Sequence, residues 1–303
     1  MPSLPMTNKI NTDSYTFDGS KNLELNKLKT KEELSYSGKI EFNNLAEEFS
    51  REIDELQSKM YAHNRYGLLI IFQAMDAAGK DSTIKHVMSG VNSHGVKVFA
   101  YKKPSVNDLE HDYLWRTNIN LPERGCITIF NRSYYEEVLI VKVHPELLKN
   151  SQRIPEEHTQ DLDKVFKNRY TDIQNFEKYA HRNGIHIMKF FLNVSKAEQG
   201  KRMLERIDTP SKNWKFEEVD VQERAHWKAY MKAYEDCINN TASVHAPWYI
   251  VPADDKKHMR LIVSSLILNK LRSLKIEYPV IDGKRKEQLN KFKQIIIAQD
   301  QED

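Results

Sequence analysis

The sequence predicts an α/β fold in which a doubly wound, five-stranded parallel sheet is flanked by helices. Short apolar runs alternate with amphipathic stretches, as in successive β-α-β units. The first apolar run, "LLIIFQ", leads through "AMDAAGKD" into a helical pattern, and the third run, "CITIF", ends in "NRS". Because parallel strands present their carboxyl ends at one edge of a sheet, we expect a ligand site where these two segments meet.

The elements follow in order from this periodicity. The strands are predicted at 67–73, 96–101, 126–130, 186–194 and 248–251. The helices that connect or follow them are predicted at 80–89, 108–117, 162–182, 196–207, 220–240 and 256–271. Before the first strand, an amphipathic helix is strongest from 45 to 61. It carries one apolar stripe made of Leu45, Phe49, Ile53, Leu56 and Met60.

The chain divides into three parts. Residues 1–36 are rich in Asn, Thr, Ser and Lys, which predicts a loosely ordered polar arm that wraps either the domain or a neighbouring molecule. Residues 37–275 form the α/β domain, including a helical lid at 200–225. Residues 276–303 are charged and predict a tail or a short terminal helix.

The composition excludes several classes of protein. The 303 residues are 40% hydrophobic and 29% charged, which is typical of a globular protein. The net charge of +3 is too small to indicate nucleic-acid binding. Cys126 and Cys237 fit no metal or redox spacing and are expected to be reduced and buried. No apolar run reaches the roughly 20 residues of a membrane span, and no signal-peptide pattern is present, so we predict a cytoplasmic protein with no membrane partner.

The segment after the first strand resembles a phosphate-binding loop. Such loops read G-x-x-x-x-G-K-S/T, so that backbone N–H groups surround an anion and the Lys contacts it. Gly79 and Lys80 are in place, but Ala74 replaces the first Gly and Asp81 follows the Lys. A helix that begins here favours phosphate binding over an ordinary turn. The predicted phosphate-binding residues of this segment are Ala77, Ala78, Gly79, Lys80, Asp81, Ser82 and Thr83.

Two acidic residues in an anion site require an explanation. A carboxylate that faces a bare phosphate would repel it, whereas a divalent cation between them removes the conflict. Mg²⁺ binds one or two carboxylates together with phosphate oxygens and water, and Mn²⁺ could substitute for it. Asp76 is therefore the first predicted metal ligand. Asp81 could serve the ligand or could instead cap the helix, and the sequence leaves both roles open.

Polar residues also end the second and third predicted strands. Lys102 and Lys103 follow the second strand, where they either hold an acceptor's phosphate or form a solvated pair. The third strand delivers Asn131 and Arg132 to the same edge. An Arg at this position is suited to bind phosphate through two parallel hydrogen bonds.

A metal-binding Asp commonly ends this strand in nucleotide-hydrolysing proteins, but position 131 is Asn. The missing charge could come from Glu136 or Glu137, one helical turn later. The sequence offers no convincing catalytic His, and none is needed when a phosphate oxygen is the nucleophile, because it is already ionised.

Basic residues surround a Pro-containing turn between two predicted helices. Arg202 and Arg206 are four residues apart and share a helix face, and Lys212 and Lys215 follow in the turn. Such a cluster can close over a polyanion, exclude water and neutralise charge. The alternative is a solvated helix face on which Glu205 is a local partner.

Seven blocks of the sequence together resemble polyphosphate kinase family 2. They are "DAAGKD", "GVKVFAYKKPS", "HDYLWR", "LPERGCITIFNRSYYEEV", "ERIDTPSKNWKF", "HWKAYMKAYED" and "APWYIVPADDKKHMR". The blocks occur in the family's order over residues 34–271, and the ordered set is far more specific than any one block. Members of this family are similar in fold to thymidylate kinases. They transfer phosphoryl groups between inorganic polyphosphate and nucleotides, with Mg²⁺.

The resemblance implies a P-loop kinase-like fold with a thymidylate-kinase-like lid, and a homo-oligomer, either dimer or tetramer. "FNRSYYEE" is similar to the class III subgroup, which accepts both nucleoside mono- and diphosphates: AMP and ADP, with GMP and GDP as further acceptors. The roles that follow from the residues and the resemblance together are catalysis by Asp76, Lys80 and Arg132, phosphate contacts from Lys103, Arg116, Arg202, Arg206, Lys212 and Lys215, nucleotide contacts from Asn131, Arg132 and Glu137, and metal binding by Asp76 and Glu137.

The sequence thus predicts a polyphosphate:nucleotide phosphotransferase. Two other hypotheses remain open at this point. An ATP-dependent nucleotide or small-metabolite kinase of the same fold would need a pocket for the base of its donor. A non-catalytic polyanion-binding module would bind without turnover, although the intact Gly79 and Lys80 argue against it.

Overall fold

A computed structural model describes residues 10–33 and 38–302 and contains one six-stranded sheet. The strands are β1 (Thr16–Phe17), β2 (Gly67–Gln73), β3 (Val96–Ala100), β4 (Ile127–Asn131), β5 (Ile185–Asn193) and β6 (Trp248–Pro252). Their order across the sheet is β1-β6-β5-β2-β4-β3. Strands β2 to β6 are parallel, as predicted, but β1 pairs with β6 in the antiparallel direction. The predicted count of five strands is therefore wrong by one short edge strand.

Twelve α-helices in the described ranges surround the sheet or extend from it. They are α1 (Gly38–His63), α2 (Lys80–Val87), α3 (Val106–Leu109), α4 (Trp115–Asn118), α5 (Ile140–Val143), α6 (Glu146–Asn150), α7 (Leu162–Arg182), α8 (Lys196–Asp208), α9 (Glu218–Ala225), α10 (Trp227–Thr241), α11 (Lys256–Ser273) and α12 (Gly283–Glu302).

Two layers of helices cover the sheet. Helix α1 packs on α11 through its buried stripe, and α2 also contacts α11, whereas α7 contacts β5 and α10. Every residue of β2 is buried, which is why this strand reads as a continuous apolar run rather than as an alternating one. Cys126 and Cys237 are buried free thiols, as predicted. Among the described residues, no helix combines the length and apolar character that a membrane crossing requires.

The described part of the N-terminal arm wraps the domain, which is one of the two predicted arrangements, but it is more ordered than predicted. Residues 10–33 are not a loose segment, because Tyr15, Leu23 and Leu25 are buried against the domain. The backbone N–H of Leu25 donates to Glu235 Oε2 at 3.0 Å, which ties the arm to α10. Residues 1–9 and 34–37 lie outside the described part. The burial of these three residues could not be predicted, because they are too irregularly spaced in a polar segment to form a periodic pattern.

Two of the predicted helices are broken. The segment 108–117 forms the separate turns α3 and α4, because Ser105 and Asp108 build a capping box that fixes an earlier helix start. The segment 220–240 is divided at His226 into α9 and α10. At the C-terminus, the helix alternative for the charged tail is confirmed by α12.

A buried ionic network anchors the segment that follows β4. Lys189 Nζ donates to Glu177 Oε2 at 2.7 Å, and both side chains are almost fully buried. Tyr134 and Tyr135 donate their hydroxyls to Glu177 Oε1 at 2.9 Å and 2.6 Å. Tyr134 and Tyr135, from the "RSYYEE" segment, are thus buried in the core and hold the segment after β4 in place.

Candidate active site

The site lies where β2 and β4 end side by side at the carboxyl edge of the sheet, with Phe72 paired to Asn131. From β2 the chain passes through the loop at 74–79 into α2. Gly79 has a φ of +111°, a conformation that side chains with a Cβ rarely adopt. The backbone of this loop therefore requires glycine at this position.

Lys80 lies beneath the loop, with only 9% of its surface exposed. Its Nζ donates to the carbonyl oxygen of Ala74 at 2.8 Å and lies 4.0 Å from Oδ1 of Asp76. Burial lowers the pKa of Lys80 to about 8, and the positive charge of Arg132 acts in the same direction. An arriving phosphate would favour the charged form of this lysine, because an adjacent negative charge raises its pKa.

Asp76 and Arg132 form the central ion pair, with Nη2 of Arg132 at 2.5 Å from Oδ1 of Asp76. Burial alone would raise the pKa of Asp76, but the charges of Lys80 and Arg132 outweigh it and hold that pKa below its usual range. Arg132 itself has a φ of +62°, which is uncommon for a residue other than glycine and turns the chain sharply at the end of β4.

The carboxylate of Asp76 fits the metal that the resemblance implies. Oδ1 makes both contacts described above, whereas none of the side chains and backbone groups that the structure describes donates a hydrogen bond to Oδ2. One open carboxylate oxygen suits Mg²⁺, which takes most of its other ligands from phosphate and water. In the described part of the chain, no group of three or more His, Cys, Asp or Glu side chains is arranged to hold a metal ion.

The residues at the start of α2 point in different directions. Asp81 is exposed and accepts a hydrogen bond from Nδ2 of Asn131, and no side chain caps the N-terminus of α2. The hydroxyl of Ser82 donates to the carbonyl of Gly79 at 3.0 Å. Thr83 is fully buried and donates to Sδ of Met259 at 3.9 Å. Asp81 therefore remains at the open edge, whereas Thr83 packs inside.

The two glutamates after β4 have different partners. Glu136 accepts a hydrogen bond from Nε2 of Gln73 at 2.9 Å and lies 3.8 Å from Arg132, which places it in the central cluster. Glu137 is 4% exposed and pairs with Arg169 at 3.1 Å. Burial raises the pKa of Glu137, although Arg169 opposes the shift. Glu136 lies beside the Asp76–Arg132 ion pair, whereas Glu137 is turned toward Arg169. This geometry does not support Glu137 as a metal ligand.

Arg202 lies behind the loop instead of on an open helix face. Its Nη1 donates to the carbonyl of Ala78 at 2.7 Å, and its Nη2 donates to the carbonyls of Ala253 at 2.7 Å and Asp254 at 3.0 Å. Nε donates to Glu198 at 2.8 Å. All three nitrogens of this buried guanidinium have protein partners, so Arg202 joins the phosphate-binding loop to the loop after β6.

The remaining lid residues are more open. Arg206 pairs with Asp220 at 3.3 Å and is close enough to Asp76 for its charge to help lower the pKa of that carboxyl. Lys212 is exposed, and the side chain of Lys215 lies outside the described residues. Lys256, at the start of α11, is also exposed, and its pKa is lowered by desolvation and by the neighbouring charges of Arg202 and Lys212.

The sequence did not point to Lys256, Gln199 or Arg169, whereas Glu136 was one of the two predicted alternatives for the acid after β4. A cation directly after the last strand, in "ADDKK", is a signal that could have found Lys256, because this strand also ends at the ligand edge. Gln199, whose amide donates to the Asp76 carbonyl at 3.1 Å, and Arg169 lie on long helices, where no local pattern distinguishes them.

Two cavities adjoin the site beyond the end of β3. The larger has a volume of about 450 Å³ and is lined in part by Lys103 and Arg116. The smaller, of about 140 Å³, is lined in part by Arg116, Glu137 and Arg169. Arg116 is buried between them and donates to the carbonyl of Lys102 at 2.9 Å. Lys103 and Arg116, two of the predicted phosphate-binding residues, thus line the same cavity and lie away from the phosphate-binding loop.

The chain is similar to several known proteins over most of its length. The sequence model of the family described as Polyphosphate kinase 2 matches residues 37–279. An ADP-polyphosphate phosphotransferase of Rhodopseudomonas palustris is 47% identical over 290 residues, which are 95% of this chain and 99% of that protein. An AMP/ADP-polyphosphate phosphotransferase of Meiothermus ruber is 40% identical over 230 residues, or 76% of this chain and 81% of the relative.

A solved structure supports the same relation. The crystal structure of polyphosphate kinase 2 from Arthrobacter aurescens superposes with a TM-score of 0.81 at 33% identity, covering 93% of this chain and 96% of the other. These matches confirm the resemblance that the ordered sequence blocks predicted. The chain belongs to the polyphosphate kinase 2 family.

Proposed function

We propose that this protein transfers the terminal phosphoryl group of inorganic polyphosphate to nucleoside mono- and diphosphates, and also catalyses the reverse reaction. AMP and ADP are the first acceptors, and GMP and GDP are further ones. The observation that carries the proposal is the cluster of Asp76, Lys80 and Arg132 around the N-terminus of α2. The names of the relatives from Rhodopseudomonas palustris and Meiothermus ruber support the same donor and acceptors.

The donor chain would follow the basic residues on one side of the loop. Lys80 would contact the phosphate that is transferred. Arg206, Lys212 and Lys256 would contact successive phosphates, since each lies on the lid or at its base. Closure of α8 and α9 over this chain would exclude water and strengthen every ionic contact.

The acceptor would enter from the opposite side, through the cavities beside β3. Arg116 and Lys103 would hold its phosphates, and Glu137, fixed by Arg169, would face its nucleoside part. An acceptor in this position could direct a phosphate oxygen at the donor across the loop, as in-line transfer requires.

Asp76 and Glu136 are the residues that would hold Mg²⁺, with Mn²⁺ as a substitute. When bound, the metal supplies charge neutralisation and orientation of phosphate oxygens. The carboxylate of Asp76 contributes a fixed negative charge, and Arg132 keeps that carboxylate oriented.

The transfer itself requires positioning more than proton chemistry. An acceptor phosphate oxygen forms a bond to the terminal phosphorus of the donor, and the bond from that phosphorus to its bridging oxygen breaks. The shortened chain keeps the bonding electrons as an ionised phosphate. Lys80 and Arg132 neutralise charge on the transferring group, which is where charge-stabilising residues contribute most.

We also propose that the protein is cytoplasmic and forms a homo-oligomer. Two free buried cysteines are consistent with a reducing compartment.

The test supplies ADP, Mg²⁺ and polyphosphate without ATP and measures the ATP formed. We expect steady ATP production that stops when a chelator removes Mg²⁺. The Asp76→Asn variant is the matched control for a contaminating kinase, because only one carboxylate of the site changes. If no ATP forms but ATP phosphorylates AMP, the protein is an ATP-dependent kinase. Polyphosphate binding that persists in chelator without any turnover would identify a binding module.

A further inference from the structure

The C-terminal helix α12 presents an apolar surface that its own domain does not cover. Every residue from Gly283 to Gln301 is exposed. The large apolar side chains are 40% to 57% exposed and comprise Leu289, Phe292, Ile295, Ile296 and Ile297. A 20-residue helix is about 30 Å long, and helices in proteins are stabilised mainly by packing an apolar face. The family match ends at residue 279, so this surface lies outside the part of the chain that the match covers.

One side of α12 has an ordered arrangement of charge and apolar character. Arg285, Leu289, Phe292, Ile296 and Asp300 follow each other at intervals of four, three, four and four residues, so they lie on one side of the helix. A cation stands at the first end of this stripe, an anion stands at the last end, and apolar side chains lie between them. Two copies of this stripe are therefore complementary in charge when they run in opposite directions.

We propose that α12 pairs antiparallel with α12 of a second copy of this chain. When Leu289 of one helix lies opposite Ile296 of the other, Arg285 lies opposite Asp300 at both ends of the pair. A parallel pair would place like charges together at each end. An anionic lipid surface would attract one end of the stripe and repel the other. The order of charges therefore selects a second copy as the partner.

The pairing would make the two-fold symmetric interface that closed dimers use. The proposal extends the oligomer part of the proposed function. Its readout is molecular mass, which does not depend on catalytic activity, so the two proposals can fail separately.

The first experiment measures the mass of the full-length protein in solution by analytical ultracentrifugation. In Ile296→Glu, a charge enters the apolar centre of the pair, and we expect the mass of the assembly to fall by half. Gln294→Glu adds the same charge on the opposite side of α12 and should leave the mass unchanged. Circular dichroism verifies that both variants keep their helix content.

The second experiment tests the direction of pairing. Arg285→Glu should weaken association about three- to tenfold, because each end then brings two acids together. Adding Asp300→Arg should restore it, because the opposite charges are paired again. A wild-type monomer at micromolar concentration would overturn the proposal. So would an Ile296→Glu protein of unchanged mass, or a double charge reversal that fails to restore association.

Discussion

The bridge made by Arg202 gives the sharpest test of how the site is built. Arg202→Lys keeps the positive charge but replaces a planar fork of donors by a single nitrogen. The guanidinium reaches Ala78 on one side and Ala253 and Asp254 on the other. One ammonium cannot span both sides, so the variant loses either one or two of these hydrogen bonds.

The size of the effect follows from burial. Arg202 is 6% exposed, so water cannot fully replace the lost donors. Hydrogen bonds that involve a charged group contribute about 1.5–3 kcal/mol each, and the loss of one or two gives a destabilisation of about 3 kcal/mol. For a domain of this size, that corresponds to a fall in Tm of about 6–12 °C. The phosphate-binding loop also loses its support, and kcat should fall about 10- to 100-fold because the reacting groups are displaced.

The assay combines thermal unfolding without ligand and steady-state kinetics below the transition. Arg206→Lys is the matched control, one helical turn away. Arg206 is partly exposed and pairs with Asp220, so weakening that ion pair should lower the free energy of unfolding by at most about 1 kcal/mol. A wild-type Tm in Arg202→Lys, with a raised KM for polyphosphate and unchanged kcat, would refute the reasoning. That result would make Arg202 a donor contact and not a support of the loop.

Three further predictions address the rest of the site. Burial lowers the pKa of Lys80 to about 8, so the lysine loses its proton as the pH rises through 8. We therefore expect kcat/KM for the donor to decline over this range. A pH profile of kcat/KM that stays flat to pH 10 would contradict this. Asp76→Asn should lower kcat about 10²- to 10³-fold. Asp81→Asn, which keeps an acceptor oxygen for Asn131, should lower kcat less than about tenfold, and equal losses in the two variants would contradict this difference. Glu177→Gln should destabilise the protein by about 3–5 kcal/mol because it leaves the buried Lys189 without its counter-ion, and adding Lys189→Met should recover part of the loss. Thermal unfolding of the wild type, the single variant and the double variant tests this.

The parallel sheet and its site edge could be predicted from the sequence because both depend on local signals. An apolar run, a glycine with positive φ and a following helix are contiguous in the chain, and they fix Lys80 relative to β2. Asn131 and Arg132 follow a second apolar strand for the same reason. These elements require no knowledge of distant contacts.

Other features could not be predicted, because their partners are far apart in the chain. The orientation of Glu137 is decided by Arg169, thirty-two residues later. Arg202 shares a helix face with Arg206, but three carbonyl oxygens from two separate loops draw it behind the site. The periodicity of the sequence predicts which side chains share one face of a helix. It does not predict which backbone groups of other segments those side chains will contact.

The N-terminal strand β1 has a consequence for the solubility of the protein. The outer edge of β6 carries backbone N–H and C=O groups that β1 occupies in part, with Thr16 opposite Tyr249. The same arm reaches the loop after β6, where the N–H of Asp254 donates to the carbonyl of Thr30 at 2.8 Å. A chain trimmed to the residues that match the family would leave this apolar strand as an open edge, which is a template for aggregation. The arm therefore protects the edge of β6 from pairing with other molecules. A protein that lacks the arm would be expected to aggregate even if its active site were intact.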